Sequence, residues 1–260
     1  MIKLGSLLSV LAVLAVLVGC SEKPPVAEHD ANIYQTAVYF NSLRPKEDRR
    51  DDAQRKPAEI LAFAGVEPGM KVIDLLGGGG WYTELLAAVI GDEGHVYLAN
   101  TPLFLHFTQP QMEARLSNNR LKNVTRVDGE WTQMNLPEEV DLIWLSLAYH
   151  DIYVKRPNDP SFEADRDSFF EQIKTALKPG GMILVIDHAA TSGTGKEAAQ
   201  TLHRIDEEFA RADFESEGFV FVKSLDILRN PADDYTKDIW AKDIMNKTDK
   251  FIFLFQKPMQ

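Results

Sequence analysis

The stretch VIDLLGGGGWYTELL, residues 72–86, sets an apolar run containing the carboxylate Asp74 ahead of four consecutive glycines and a helix-like segment. Glycine tolerates positive φ, so one or two would suffice to turn a corner. Four in succession mark a place where something approaches the backbone closely. Around this stretch, apolar strand-like runs alternate with helical ones. The strand-like runs are 71–75, 95–99, 123–127, 140–147 and 182–187; the helical segments are 57–64, 81–90, 109–117, 162–177 and about 196–212. Mostly apolar strands in this order predict a parallel sheet covered by helices on both faces. Two late β-rich runs, 218–228 and 250–256, lack a long crossover helix between them and predict antiparallel pairing at the sheet edge. A chain of 260 residues, 45% hydrophobic, is long enough to bury one sizeable core.

The first twenty residues stand outside that core. Lys3 precedes an almost wholly apolar run, 7–18, which ends in Leu17-Val18-Gly19-Cys20 and is short for a membrane span. The stretch resembles a bacterial lipoprotein signal, residues 1–19. The resemblance implies cleavage before Cys20 and lipid attachment to it, with Ser21 directing the product to the periplasmic face of the outer membrane. An ordinary signal, or an uncleaved anchor with a stray cysteine, is the alternative. Residues 20–32, polar and carrying two prolines, read as a tether, and 33–56 as an N-terminal lid segment. Cys20 is the only cysteine, so the domain beyond it folds without disulfides. A net charge of −11 argues against a nucleic-acid backbone as the main partner.

In an open α/β sheet, ligands bind beyond the carboxyl ends of the strands, where helix N-termini present free N–H groups. The dinucleotide motif G-x-G-x-x-G fails here, because Tyr82 or Thr83 stands where its third glycine belongs; the Walker pattern fails at Trp81. Val72-Ile73-Asp74 with Gly78 and Gly80 instead resembles the first motif of class I S-adenosylmethionine-dependent methyltransferases, with Leu76 at the first glycine position. The resemblance continues in DEGHVYLAN, in LPEEVDLIWLSLAYHD, in the turn and strand ALKPGGMILVIDH, and in the closing SEGFVFV and FIFLFQKP. It covers about residues 57–257. GGGGWYTELLA, YHDIY and LHRID resemble a group of predicted bacterial methyltransferases within that class.

The resemblance implies a three-layer Rossmann-like α/β fold, its seven-stranded sheet mostly parallel with an antiparallel C-terminal strand. The domain spans 57–260, S-adenosylmethionine is the cofactor, and a small molecule is the methyl acceptor. Asp74, Gly77, Gly78, Gly79 and Gly80 would hold the cofactor. Tyr82 begins the helix beside them, and Thr83 either bonds the cofactor's carboxylate or caps that helix. Asn100 stands where the class places an acid on the ribose hydroxyls, and brings no charge. Asp128 either accepts from the adenine amino group or forms a surface turn.

Three of the six histidines gather at one predicted rim: His150 with Asp151 after the fourth strand, His188 after Asp187 on the fifth, and His203 on the following helix. A histidine there could act as general base, its tautomer set by a neighbouring carboxylate. These four residues, His150, Asp151, His188 and His203, are the candidate catalytic set. A metal held by His150, Asp151, Asp187 and His188 is chemically possible but has no tight ligand spacing behind it. Tyr34, Arg49 and Arg55 could close over a substrate from the lid segment. The expected activity is methyl transfer by an exported, lipid-anchored enzyme. A non-catalytic envelope lipoprotein that uses the same fold to bind a ligand or protein is the alternative.

Overall fold

A computed structural model describes residues 33–159 and 162–259. The signal and tether readings, Cys20 included, lie outside them. The strands are β1 (Lys71–Leu75), β2 (His95–Asn100), β3 (Val124–Asp128), β4 (Val140–Ser146), β5 (Leu177–His188), β6 (Val220–Ser224) and β7 (Lys250–Gln256). They form one sheet in the order β3-β2-β1-β4-β5-β7-β6. The first five strands run parallel, and β7 is antiparallel to both β5 and β6. The order reverses between β1 and β4, which places a crevice beyond their carboxyl ends.

Among the described residues, five helices of eight residues or more flank the sheet: α1 (Pro57–Ala64), α2 (Trp81–Ile90), α3 (Pro102–Leu116), α4 (Arg166–Ala176) and α5 (Glu207–Ser216). Alternating strand residues feed two cores. Ile73, Leu75, Ile143 and Leu145 join α4 and α5 on one face. Val72, Leu142 and Trp144 join α1, α2 and the segment around Tyr34 and Val38 on the other. Pro57 opens α1 and Gly65 closes it in the left-handed conformation, as the sequence predicts.

The structure departs from the sequence reading in three places. The third helix begins at Pro102 rather than near 109, because Thr101-Pro102 is itself a start signal and Pro110 sits inside the helix, where it donates no bond. The turn Lys178-Pro179-Gly180-Gly181 is part of β5, its Gly180 amide bonding to the Lys257 carbonyl. The long helix expected over 196–212 is a short turn, Ala199–Leu202, followed by α5. The break occurs because Arg204 is fully buried in a two-pronged ion pair with Asp233 at 2.8 and 3.1 Å, Ile205 bridges to Ala189, and Asp206 caps α5. His203 therefore lies off the helix, at φ 54°.

The lid segment is fastened down. Arg44 and Asp52 form a buried ion pair at 2.6 Å, and the Trp81 indole donates to the Asp48 carbonyl. Arg49 is spent on the Tyr39 and Asn41 carbonyls, and Tyr34 donates to the Val66 carbonyl.

A Cβ on Gly77 would sit 2.6 Å from the Asp74 carboxylate and 2.7 Å from Leu98. Gly77→Ala should therefore destabilise the fold by about 1–3 kcal/mol, seen as a lower urea midpoint at constant slope. An unchanged midpoint would show that this packing is slack.

Candidate functional site

The glycine loop is the first part of the site. Leu76 turns the chain off β1 at φ 56°, a conformation that costs a branched side chain about 1 kcal/mol and that the methyltransferase motif gives to glycine. Leu76 holds it because its side chain is buried and its amide donates to the Ala99 carbonyl at 2.7 Å. Gly78 and Gly80 also take positive φ, and Gly80 precedes α2.

The close approach implied by four glycines is made by the protein itself. Asp74 fits beneath Gly77. From α3, Thr108, Gln111 and Arg115 would lie within 3.0–3.3 Å of a Cβ on Gly78, Gly79 and Gly80 respectively. The Arg115 guanidinium donates to the Gly79 carbonyl at 2.7 Å and pairs with buried Glu84 and with Asp48. Asn100 clamps Gly78 from both sides: its Oδ1 accepts from the Gly78 amide at 2.8 Å, and its amide nitrogen donates to the Gly78 carbonyl at 3.1 Å. Asn100 thus braces the loop, where the class-based expectation put it on a ribose. Thr83 donates to Asp74 at 2.6 Å, so its hydroxyl is committed to the strand. Asp128 ends β3 and pairs with Arg126 through one oxygen; the other is buried without a partner.

Beside this loop lies a cavity of about 790 Å3. Ser146, Leu147, His150, Ile186 and His188, from the carboxyl ends of β4 and β5, line it. Leu103, Phe104, Phe107 and Thr108 of α3 form a wall, and Ile239, Trp240 and Met245 face it from the segment before β7. Tyr82 contributes from α2, and Arg55 from the lid segment. Gly77–Gly80, Asp74, Asn100 and Asp128 are not among the lining residues. Thr108 both lines the cavity and stands over Gly78, so one side chain separates the loop from the open space.

Two of the predicted histidines are drawn together by an aspartate. Asp187, fully buried at the end of β5, accepts from the His150 amide at 2.7 Å and faces its Nδ1 at 2.8 Å. It also accepts from the His188 amide at 2.8 Å. That leaves His150 Nε2 for the cavity, 3.7 Å from Asp151. Asp151 is bound by Arg156 at 2.8 Å. Burial alone would push the His150 pKa down, but Asp187 and Asp151 outweigh it and hold it up at about 9. His188, whose Nδ1 meets the Thr248 hydroxyl at 2.7 Å, is driven well below the ordinary histidine range by burial and by the charge of His150. The pair is therefore split into a cation and a neutral ring. His203 sits edge-on to His150, ring centres 5.8 Å apart, its Nδ1 a loose 3.5 Å from Asp238.

The candidate residues thus come together at one rim, and the carboxylate on the His150 Nδ1 is that of Asp187. Among the described residues no cluster of three or more His, Cys, Asp or Glu is placed to hold a metal ion. Arg156, Thr108 and Lys250 were not read from the sequence. Lys250 left a faint signal, a charge opening the otherwise apolar run FIFLF.

No protein-family profile matches the chain. Over 166 residues it is 26% identical to the ubiquinone/menaquinone biosynthesis C-methyltransferase UbiE of Vibrio campbellii, and over 168 residues 28% identical to that of Shewanella oneidensis. These matches span 59% and 61% of the relatives' lengths, and 61% and 62% of this chain. A solved S-adenosylmethionine-dependent methyltransferase from Aquifex aeolicus superposes with a TM-score of 0.58 at 19% identity, covering 81% of this chain and 95% of that one. The sheet order and this likeness establish the Rossmann-like methyltransferase fold.

Asp74 is fully buried, and burial raises its pKa to about 6 against the Thr83 bonds and Arg115. Between pH 4 and 6 the folded state then holds a proton that the unfolded state has released, so stability falls as pH rises through this window. Asp74→Asn should gain up to about 3 kcal/mol on wild type between pH 4 and pH 7 and nothing further above. Urea unfolding across pH measures it, and a pH-independent difference would refute this ionisation.

Proposed function

We propose that this protein is an S-adenosylmethionine-dependent methyltransferase acting on a small, largely apolar acceptor held in the cavity beside β4 and β5. The observation that carries the reading is the Asp187–His150 pair on the floor of that cavity, one side chain away from the glycine loop. The loop suits the cofactor: its positive-φ turn is intact, α2 opens beneath it, and its volume is kept free of side chains of its own. Binding next to the glycines requires Thr108, Gln111 and Arg115 to lift away, and Pro110 weakens α3 at that point.

When bound, S-adenosylmethionine supplies an already activated electrophilic methyl group, so the protein's work is alignment, exclusion of water and handling of the acceptor's proton. The aromatic and aliphatic walls exclude water. His150, its Nδ1 fixed on Asp187, presents Nε2 to the acceptor. A basicity near 9 matches a phenol-like hydroxyl, whose ordinary pKa is about 10, far better than an unperturbed histidine does. His188, neutral, is a hydrogen-bond partner rather than a base. The names of the similar proteins, quinone-pathway C-methyltransferases, agree with an apolar ring as acceptor.

Covering of the glycine loop by α3, with Asn100 engaged on Gly78, favours a second reading: a binding protein that keeps the fold without turnover. For either reading we propose export and lipid anchoring at Cys20, on the strength of residues 1–20 alone. Labelling by palmitate that disappears in Cys20→Ser would support it, and unlabelled wild type would dismiss it.

Calorimetric titration of the purified chain with S-adenosylmethionine should give micromolar binding, lost in Gly78→Arg while the circular dichroism spectrum is kept. Absence of binding by the wild type rejects the enzymatic reading. The His150 ring should titrate by NMR near pH 9 and drop by about 2 pH units in Asp187→Asn, because removal of the carboxylate takes away the charge that holds the proton. Methyl transfer to a phenolic acceptor should accordingly rise from pH 7 to about 9 and then level off.

A further inference from the structure

The proton-handling pair leaves one charged group of the cavity without a task. Lys250 opens β7, paired in register with His188, and its side chain is mostly buried against the cavity. Its ammonium carries three donors, of which one meets the Thr248 carbonyl at 2.8 Å. Among the described residues no carboxylate lies within ion-pair distance of it. The nearest acids are engaged elsewhere: Asp233 by Arg204, Asp249 by Arg229 and Tyr235.

Arg55, from the lid segment, lines the same cavity. It stacks on Trp81 at 4.5 Å and meets Asp51, on its own turn, at a slack 3.6 Å. Burial and Arg55 push the Lys250 pKa down to about 8, while Asp233 and Asp249 pull it up. At neutral pH the ammonium is still charged. Among the described residues, the one acid lining the cavity, Asp151, is already engaged by Arg156. Burying a cation without a counter-charge is costly, so a cavity arranged this way favours an anionic guest.

We infer that Lys250 and Arg55, which both line the cavity, form a carboxylate-binding subsite in it, and that the acceptor is an acid with an apolar or aromatic body. This rests on the methyltransferase reading and names its substrate class. The rest of the lining suits an acid with an apolar body, to which Phe104, Phe107, Ile239 and Trp240 offer their surface. The charge balance also fits. With the His150 imidazolium already paired with Asp187, the Lys250 ammonium is what opposes an entering sulfonium, and an anionic acceptor offsets that repulsion. A carboxylate could also come from the cofactor's methionine end. The glycine loop and the N-terminus of α2, beyond Thr108, are the place for that one.

Calorimetric titration of the purified chain with 4-phenylbutyrate and its neutral amide, in parallel with S-adenosylmethionine, separates these sources. The acid should bind wild type at least about tenfold more tightly than the amide, as expected for a charge-assisted contact. Lys250→Met should lose that preference, and Lys250→Arg should keep most of it. Cofactor affinity should stay within about twofold in both variants. Removing an unpaired buried cation should also raise the melting temperature of Lys250→Met, which confirms that it folds. Equal binding of acid and amide by wild type, or no binding of either, overturns the proposal. So does a loss of cofactor affinity in Lys250→Met that matches the loss of the acid, which would hand the lysine to the cofactor. Failure of S-adenosylmethionine to bind wild type removes the methyltransferase reading and leaves the carboxylate subsite to its own titration.

Discussion

The carboxylate of Asp187 organises the active face. It is wholly buried at the end of β5 and reaches across to the turn after β4. There it takes the backbone amide and ring nitrogen of His150 with its two oxygens, and the amide of His188 besides. A buried charge with three donors is satisfied; the same charge with one fewer is costly. The ends of two neighbouring strands are thereby locked together, and the floor of the cavity is defined. The polarity of the floor follows from the same contact. His150, facing two carboxylates, keeps its proton, and burial together with that retained charge keeps His188 neutral.

A second arrangement, around Asp74, governs the neighbouring loop. Strand β1 must pass through the middle of the sheet, so its carboxylate is buried wherever it falls. Thr83 and the free space at Gly77 are what make that burial possible. The glycines above then admit α3, whose Thr108, Gln111 and Arg115 close over them. A run of four glycines indicates close approach, but glycine is indifferent to what approaches. Here a helix of the same chain occupies the position that a ligand would take, and Pro110 makes that helix the element most easily lifted. The cavity and the loop are thus two halves of one crevice with Thr108 between them.

Much of this was legible beforehand. The positions of β1, β7, α1 and α2 follow from apolar runs with glycine or proline punctuation, and the edge pairing from the missing crossover. The gathering of His150, His188 and His203 follows from their places after consecutive strands. Other features depended on distant partners. Asn100 reads as a weakened ribose ligand until its amide is seen clamped to Gly78. The helix over 196–212 breaks because Arg204 finds Asp233 some thirty residues on. The carboxylate that holds the His150 ring nitrogen belongs to Asp187, thirty-seven residues away.

The amino-acid order by itself determined the class of fold, because periodicity and turn residues act over a few positions and tolerate imprecision. It also determined which side chains could carry chemistry. Which of them meet was decided only when the strands were laid side by side, since hydrogen bonds act within 3 Å and are set by register rather than by spacing along the chain. The charge states were decided at the same stage. A histidine has no preference between cation and neutral ring near pH 7 until burial and neighbouring carboxylates choose for it.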